Sequence, residues 1–514
     1  MSNLTSENKA GLEHSPPQLK RELNLTGAVV MSAGLVIGVG LFTVSTNAVG
    51  FLGPSLLLGN LIALVVSVLT SLVYAELAAA WPFSGGSYAY AYESWGKYGP
   101  FAGFMMSMTI IGIYFAVGAE ALAFANYFLS TVDFLGIWNV LQGGEIPFGT
   151  ASVIASLLIL VYTVVNWRGT KEVGLSQKVI MFSMWAMMAI SIIVAAFTTI
   201  DFSNYHPFIP TWFDPGMFPL AATLIWWAYA GQEVIGTMGE EIEHPTVNIP
   251  RALILVPFVV FAVTTTMQWA IVGIIPDVRI LQDAGAPFAL ALKAAGVGSI
   301  IFILFMLAEF LGNFSTVNPI LMGGSRVLFA LGRDGYLPPI IGKLSKRSVP
   351  GLAVWIYGIS VIILVITKGL LYLAQFTAFL LLFLYGFIAL TVIVARFTRP
   401  EVNRPFKTPL FPLIPLLVIA FAVWMVLSLP AEVIVSAFIW LGSTTVFFLI
   451  WINLPWGKEE REKSKYFRVE SSLPPEPNKE EKEKLDQEFR GFSIKLGVVI
   501  FVCLIFYGIT YILG

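Results

Sequence analysis

Residues 34–42, GLVIGVGLF, and residues 226–236, WWAYAGQEVIG, decide how this chain is read. Each is a glycine-bearing stretch in the middle of a long apolar run: Gly38 and Gly40 in the first, Gly231 in the second, with Gln232 and Glu233 following it. A helix surrounded by lipid must satisfy its backbone N–H and C=O groups internally, so glycines clustered at mid-depth need a reason. Two are available. Small residues let neighbouring helices approach closely, or the helix is interrupted and its bare backbone faces a cavity. The two stretches lie five hydrophobic segments apart, and an odd offset sends them through the membrane in opposite directions. Interruptions at matching positions of two inverted halves point to the solute site of a secondary transporter. A half-helix start offers N–H groups to an anion such as a carboxylate, and freed carbonyls accept from an ammonium or hold a cation.

The rest of the chain agrees with a membrane setting. Of 514 residues, 57% are hydrophobic and 12% charged, against about 25% charged in a soluble domain; mean hydropathy is +0.81. Apolar residues come in blocks of roughly 20, the length that crosses about 30 Å of hydrocarbon. Spans are expected near 28–49, 55–80, 99–130, 148–168, 174–198, 217–239, 251–275, 297–328, 352–368, 371–396, 410–429 and 432–453, with a thirteenth near 492–513. They group into a tail (1–25), a first half (26–200), a second half (201–397), two further spans (398–455), a polar linker (456–490) and a last span (491–514). Mixed charge makes the linker a solvated spacer, with a helix expected from Glu480 to Phe489.

Lysine and arginine set the orientation. With the N-terminus cytoplasmic, 27 of the 30 fall on the cytoplasmic side and only Arg279, Lys293 and Lys368 outside. The polar stretch 1–25 reads as a tail, not as a signal peptide. A net charge of −1 gives nucleic acid nothing to bind, and one cysteine, Cys503, rules out an intrachain disulfide. No Ser/His/Asp, metal-ligand or phosphate-loop constellation is present, so an enzyme is not expected. No oligomeric signature is legible.

Five motifs carry a family resemblance: GLVIGVGLF; YAELAAAWPFSGGSYAYAYESWG (74–96); WAYAGQEVIGTMGEEIEHPTVNIPRA (227–252); SRVLFALGRDGYLP (325–338); and RPFKTPLFPLIP (404–415). In this order they resemble the amino acid–polyamine–organocation (APC) superfamily, which has a leucine-transporter-like fold. The resemblance implies an all-α polytopic membrane protein with a 5+5 inverted-repeat core, broken first and sixth helices, and two or three peripheral C-terminal helices. It also implies a multi-pass protein of the cytoplasmic membrane that carries an amino acid, a cationic one included, by alternating access, driven by a proton or sodium gradient or by exchange; a non-amino-acid amine, a polyamine or another small cation is the alternative cargo. A sensor that binds such a solute without moving it is the alternative from another class.

Carried over by position, the resemblance puts the substrate carboxylate on the N–H groups of Gly38, Val39 and Gly40, and the ammonium on carbonyls near Val36, Trp227 and Ala230, beside Gly231. Trp227 and Tyr229 supply aromatic walls, and Ile320 in the eighth span faces the substrate side chain. Ionisable groups inside a membrane are functional candidates by default. Glu233 follows the sixth-span break, and Glu120 lies in the third span where a cationic substrate group or a transported proton would find it. Glu309 shares a face of the eighth span with Gly312 and Thr316. Glu76, near a span end, reads as structural and paired with a cytoplasmic base.

No cofactor is expected beyond the coupling ion, Na+ or H+. In proton-coupled relatives a fifth-span lysine stands where others hold a cation; counted from GTKEVG (169–174), that position is Met184, and Lys178 is nearer the cytoplasm. Adjacent Ser315 and Thr316 resemble the hydroxyl ligands of sodium-coupled relatives. With the carbonyls of Ala33, Val36 and Gly312 they would make an oxygen-rich site. Such hydroxyls also commonly bond their own helix backbone, so both drivers stay open.

Overall fold

The computed structural model describes residues 21, 23–36, 40–82, 86–137, 147–168, 200–231, 234–237, 242–294, 296, 298–345, 349–467 and 477–513. The expected fifth span, with Lys178 and Met184, lies outside the described residues, as do Gly38, Val39, Gln232 and Glu233.

Among the described residues the chain is helical, without a strand; Leu23 and Ile242 form an isolated parallel bridge. Seven helical stretches there are long and apolar enough to cross a membrane. They include Phe148–Arg168, Pro245–Ile274, Leu370–Thr398 and Ala431–Trp451, with the shorter apolar helices Gly351–Thr367 and Leu413–Val426 beside them. Ser299–Arg333 is a further long helix, with Pro319 inside it. The chain is therefore an all-α polytopic membrane protein, as expected. The polar helix expected at 480–489 and the last span form one continuous helix, Lys479–Leu513, preceded by a short helix Lys458–Phe467.

The packing follows a rule. The later part of the first span lies against the sixth, the second against the seventh, the third against the eighth, and the fourth against the ninth. Small and polar residues make these contacts close. A Cβ on Gly358 of the ninth span would sit 2.3 Å from Thr163 Oγ1 of the fourth, so only glycine fits there. Elsewhere hydroxyls fold back on their own helices, as Thr70 on the Val66 carbonyl (2.8 Å) and Thr163 on that of Ile159 (2.7 Å).

One face gathers residues 21, 23–26, 242–251, 334–342, 396–408, 458–467 and 477–488. There Arg21 donates to the Ile242 carbonyl (3.1 Å), Arg251 pairs with Asp486, and Thr26 donates through both N–H and hydroxyl to Glu488 (3.1 and 3.0 Å). The other face carries 50–55, 133–137, 200–217, 276–298 and 368–372. Its three cations are all ion-paired: Arg279 with Asp277, Lys293 with Asp133, and Lys368 with Glu432. A cavity of about 670 Å³ opens between these residues, lined by Arg279, Lys293, Asp283, Asn126 and Tyr372 among others.

Candidate functional site

The sixth span is helical over Phe218–Trp227 and then leaves the helix. Three tight i→i−3 bonds close it: Ala228 N–H to the Ile225 carbonyl (3.0 Å), Tyr229 to Trp226 (2.8 Å) and Ala230 to Trp227 (3.1 Å). Gly231 follows at φ 111°, a conformation that L side chains rarely adopt. The chain is helical again at Val234–Thr237. The expected break is real and sits on the expected glycine.

The first span is helical over Leu25–Val36, and its described part resumes at Gly40 in a π turn, Gly40–Val44, that runs into the helix Ser45–Leu52. A π turn inside an α-helix is rare and concentrates at functional sites. The two segments touch. A Cβ on Gly40 would lie 3.1 Å from Ala228 Cα and 3.2 Å from Trp227 Cε3. Glycine at 40 thus lets the first span approach the break of the sixth closely.

Around this meeting point Trp227 is nearly buried, its indole N–H donating to Thr377 Oγ of the tenth span (3.2 Å). Ala230 and Gly231 in the break are half-buried, as is Ile320 on the eighth span. The Tyr229 ring is buried and its hydroxyl donates to Asn60 of the second span (3.4 Å). The Trp227 carbonyl named for the ammonium already accepts the Ala230 N–H and keeps one lone pair.

Glu120 and Thr316, chosen from the sequence for different reasons, meet. The Thr316 hydroxyl lies 2.8 Å from Glu120 Oε2 and 3.3 Å from the Gly312 carbonyl, and both residues are buried between the third and eighth spans. A hydroxyl has one proton, so the shorter contact to the carboxylate is its principal bond. Glu309 is fully buried on the same helix and lies within electrostatic reach of Tyr127 in the third span. Ala33 is buried in the helix ending at Val36; the side chain of Ser315 lies outside the described residues.

Glu76 is structural in the way its position suggested. Its carboxylate takes two bonds from Arg396 (2.9 and 2.7 Å) and the Thr408 N–H (2.8 Å), with Arg404 Nε 3.4 Å away. Arg396 also lies over Phe411, 4.0 Å from the ring centroid. The RPFKTP motif thereby closes over the end of the second span.

Family comparison agrees with this geometry. The model of a family described as amino acid permease matches residues 23–452. This chain is an amino acid permease by family. The matched region holds the π turn of the first span, the break of the sixth, Glu120, Glu309 and the Glu76 clamp, and ends before the helices Lys458–Phe467 and Lys479–Leu513. The permease is 29% identical over 445 residues to the branched-chain amino acid permease BcaP of Bacillus subtilis, covering 84% of this chain and 93% of that one. It is 28% identical over 439 residues to the methylthioribose transporter of the same organism, with the same coverage. The Asc-type amino acid transporter 1 of Mus musculus is 29% identical over 463 residues, covering 85% of this chain and 83% of the relative. All are transporters by name, and the permease is not an enzyme.

Sequence reading missed the buried amides Asn60 and Gln268, which hydrogen-bond each other at 2.5 Å between the second and seventh spans. A signal was there: both are amides inside apolar runs, LLLGNLIAL and TTMQWAIV, where a polar side chain tends to bond across helices.

Proposed function

We propose that this permease carries an amino acid across the cytoplasmic membrane by alternating access, as a secondary transporter with a 5+5 inverted-repeat core. What carries the reading is the meeting of the two broken spans, with Gly40 against Ala228 and Trp227. The offset-of-five packing of the first four spans against the sixth to ninth is what two superposable halves around a pseudo-two-fold axis produce. The amino acid carboxylate binds the N–H groups at 38–40 and the ammonium the carbonyls at 36 and 227–230. Its side chain points toward Trp227, Ala230 and Ile320, which are apolar and suit an aliphatic substrate such as the branched-chain amino acids named for the Bacillus relative. A cationic substrate is the alternative that Glu120 offers; the Thr316 bond to its carboxylate favours a role in coupling instead.

Coupling centres on the third and eighth spans. Protonation of Glu120, or a sodium ion on Thr316, the Gly312 carbonyl, Ser315 and the carbonyls of Ala33 and Val36, rearranges the same hydrogen bond. Glu233 and Glu309 are the remaining proton candidates. The many Lys and Arg on the face of residues 21–26 support a cytoplasmic N-terminus, with the 670 Å³ cavity of the other face as the entry vestibule.

A second reading comes from the methylthioribose relative: a neutral solute without an ammonium group. The test is uptake into proteoliposomes of labelled leucine, arginine, putrescine and methylthioribose, with sodium and pH gradients imposed one at a time. Saturable leucine uptake is expected. Uptake of methylthioribose or putrescine alone overturns the substrate class, and binding without flux overturns transport.

A further inference from the structure

The π turn at Gly40–Val44 is held by side chains from other spans. Widening a helix by one residue displaces carbonyls from their usual i→i+4 donors, and in a lipid-surrounded interior no bulk water replaces them. Three carbonyls at this turn take side-chain donors instead. Leu41 O accepts the hydroxyls of Ser45 (2.8 Å) and Thr46 (3.2 Å) from its own helix. Phe42 O accepts the Tyr127 hydroxyl of the third span (2.9 Å), and Ser45 O accepts Gln268 Nε2 of the seventh (3.0 Å). Phe42, Ser45, Thr46, Tyr127 and Gln268 are all completely buried.

Gln268 reaches further. Its Oε1 accepts Asn60 Nδ2 (2.5 Å), and Asn60 Oδ1 accepts the hydroxyl of Tyr229, in the break of the sixth span (3.4 Å). One line of hydrogen bonds therefore runs from the turn of the first span, through the seventh and second, to the break of the sixth.

We infer that Tyr127 and Gln268 are positioning residues: by binding the Phe42 and Ser45 carbonyls they fix the turn at Gly40–Val44 against the sixth-span break, and so set the spacing of the backbone groups that receive the solute. This rests on the transport reading only for the identity of the solute. The turn and its donors are in place without it. Neither residue touches the solute. Each acts through backbone, which lets the binding segment be small and glycine-rich while its shape is dictated from outside.

The test compares Tyr127→Phe and Gln268→Met with Tyr74→Phe. All three nearly keep side-chain volume, and the third removes a buried hydroxyl bond to Ser87 (2.6 Å) that no carbonyl of the turn accepts. Two readouts are needed. Without any solute, hydrogen–deuterium exchange of the 40–46 amides is expected to quicken in Tyr127→Phe and Gln268→Met and to stay as in the parent protein in Tyr74→Phe. In proteoliposomes, KM for L-leucine is expected to rise roughly tenfold in the first two, the equivalent of about one hydrogen bond, with kcat within about threefold. Tyr74→Phe should lower only the melting temperature. Unchanged exchange at 40–46 in both variants, or a lowered melting temperature with KM unmoved, overturns the inference. If the parent protein moves no leucine, the transport reading fails by itself and the exchange experiment still decides this one.

Discussion

Gly40→Ala adds one methyl group, and the structure says where it goes: 3.1 Å from Ala228 Cα and 3.2–3.3 Å from the Trp227 ring. Ordinary contact begins at 3.4 Å, and the nearest neighbour is main chain, which cannot swing aside as a side-chain tip does. The two broken spans must separate by a few tenths of an ångström, and forcing a methyl into a packed interior costs roughly 1–3 kcal/mol. The free protein relieves this by parting the segments. A solute that needs both of them must close the gap again, so the cost appears in binding. That corresponds to a rise in KM of about 5- to 150-fold. The control is Gly442→Ala in the twelfth span, where an added Cβ meets nothing within 4 Å. Uptake of labelled L-leucine at graded concentrations gives KM, and detergent melting shows that both variants are folded. A Gly40→Ala protein with KM within about twofold of the parent refutes the placement of the site between these two segments. Gly40→Val, bulkier toward the Trp227 ring, should abolish uptake while leaving the protein in the membrane.

Three further outcomes follow from the same geometry. Glu76→Gln leaves the Arg396 and Arg404 guanidinium groups without their buried counter-charge, a loss of about 3–5 kcal/mol for a pair of this kind, read as a large fall in detergent melting temperature; melting unchanged from the parent removes the clamp role. Glu120→Gln keeps an acceptor for Thr316 but loses the charge, so it should flatten the pH dependence of uptake between pH 5 and 8 or shift substrate charge preference; identical kinetics over that range relegate Glu120 to packing. Beside the cavity lined by Arg279, hydrogen bonds from that residue hold the Asp277 carboxyl below the usual carboxylate range. A lowered folded value contributes stability above that range and loses it only as pH falls through it, below about pH 4. Asp277→Asn should therefore leave the shape of the pH profile between 5 and 8 intact, and a flattened profile would assign the titration to the wrong face.

Much of this architecture is legible along the chain because the bilayer is a demanding solvent. A run of about 20 apolar residues has few alternatives to a spanning helix, and ten of the thirteen expected spans end within a few residues of helices seen here. The glycines at 40 and 231 were legible for the same reason, since lipid does not tolerate an unexplained interruption. Glu76 was legible as structural from its place at a span end, though its partners were not: Arg396 and Arg404 lie more than 300 residues away.

The sequence by itself determined that this is a helical membrane protein resembling the permease family, and that the sixth span breaks at Gly231, because hydrophobic length and backbone satisfaction are local properties. Only the tertiary structure decided that Gly40 abuts Ala228, that Tyr229 bonds Asn60, that Thr316 bonds Glu120, and that Tyr127 and Gln268 reach carbonyls at the π turn. Each of these joins spans 85 to 223 residues apart. Which side chain answers which buried polar group depends on helix rotation and depth, and those are fixed by packing among all the spans at once.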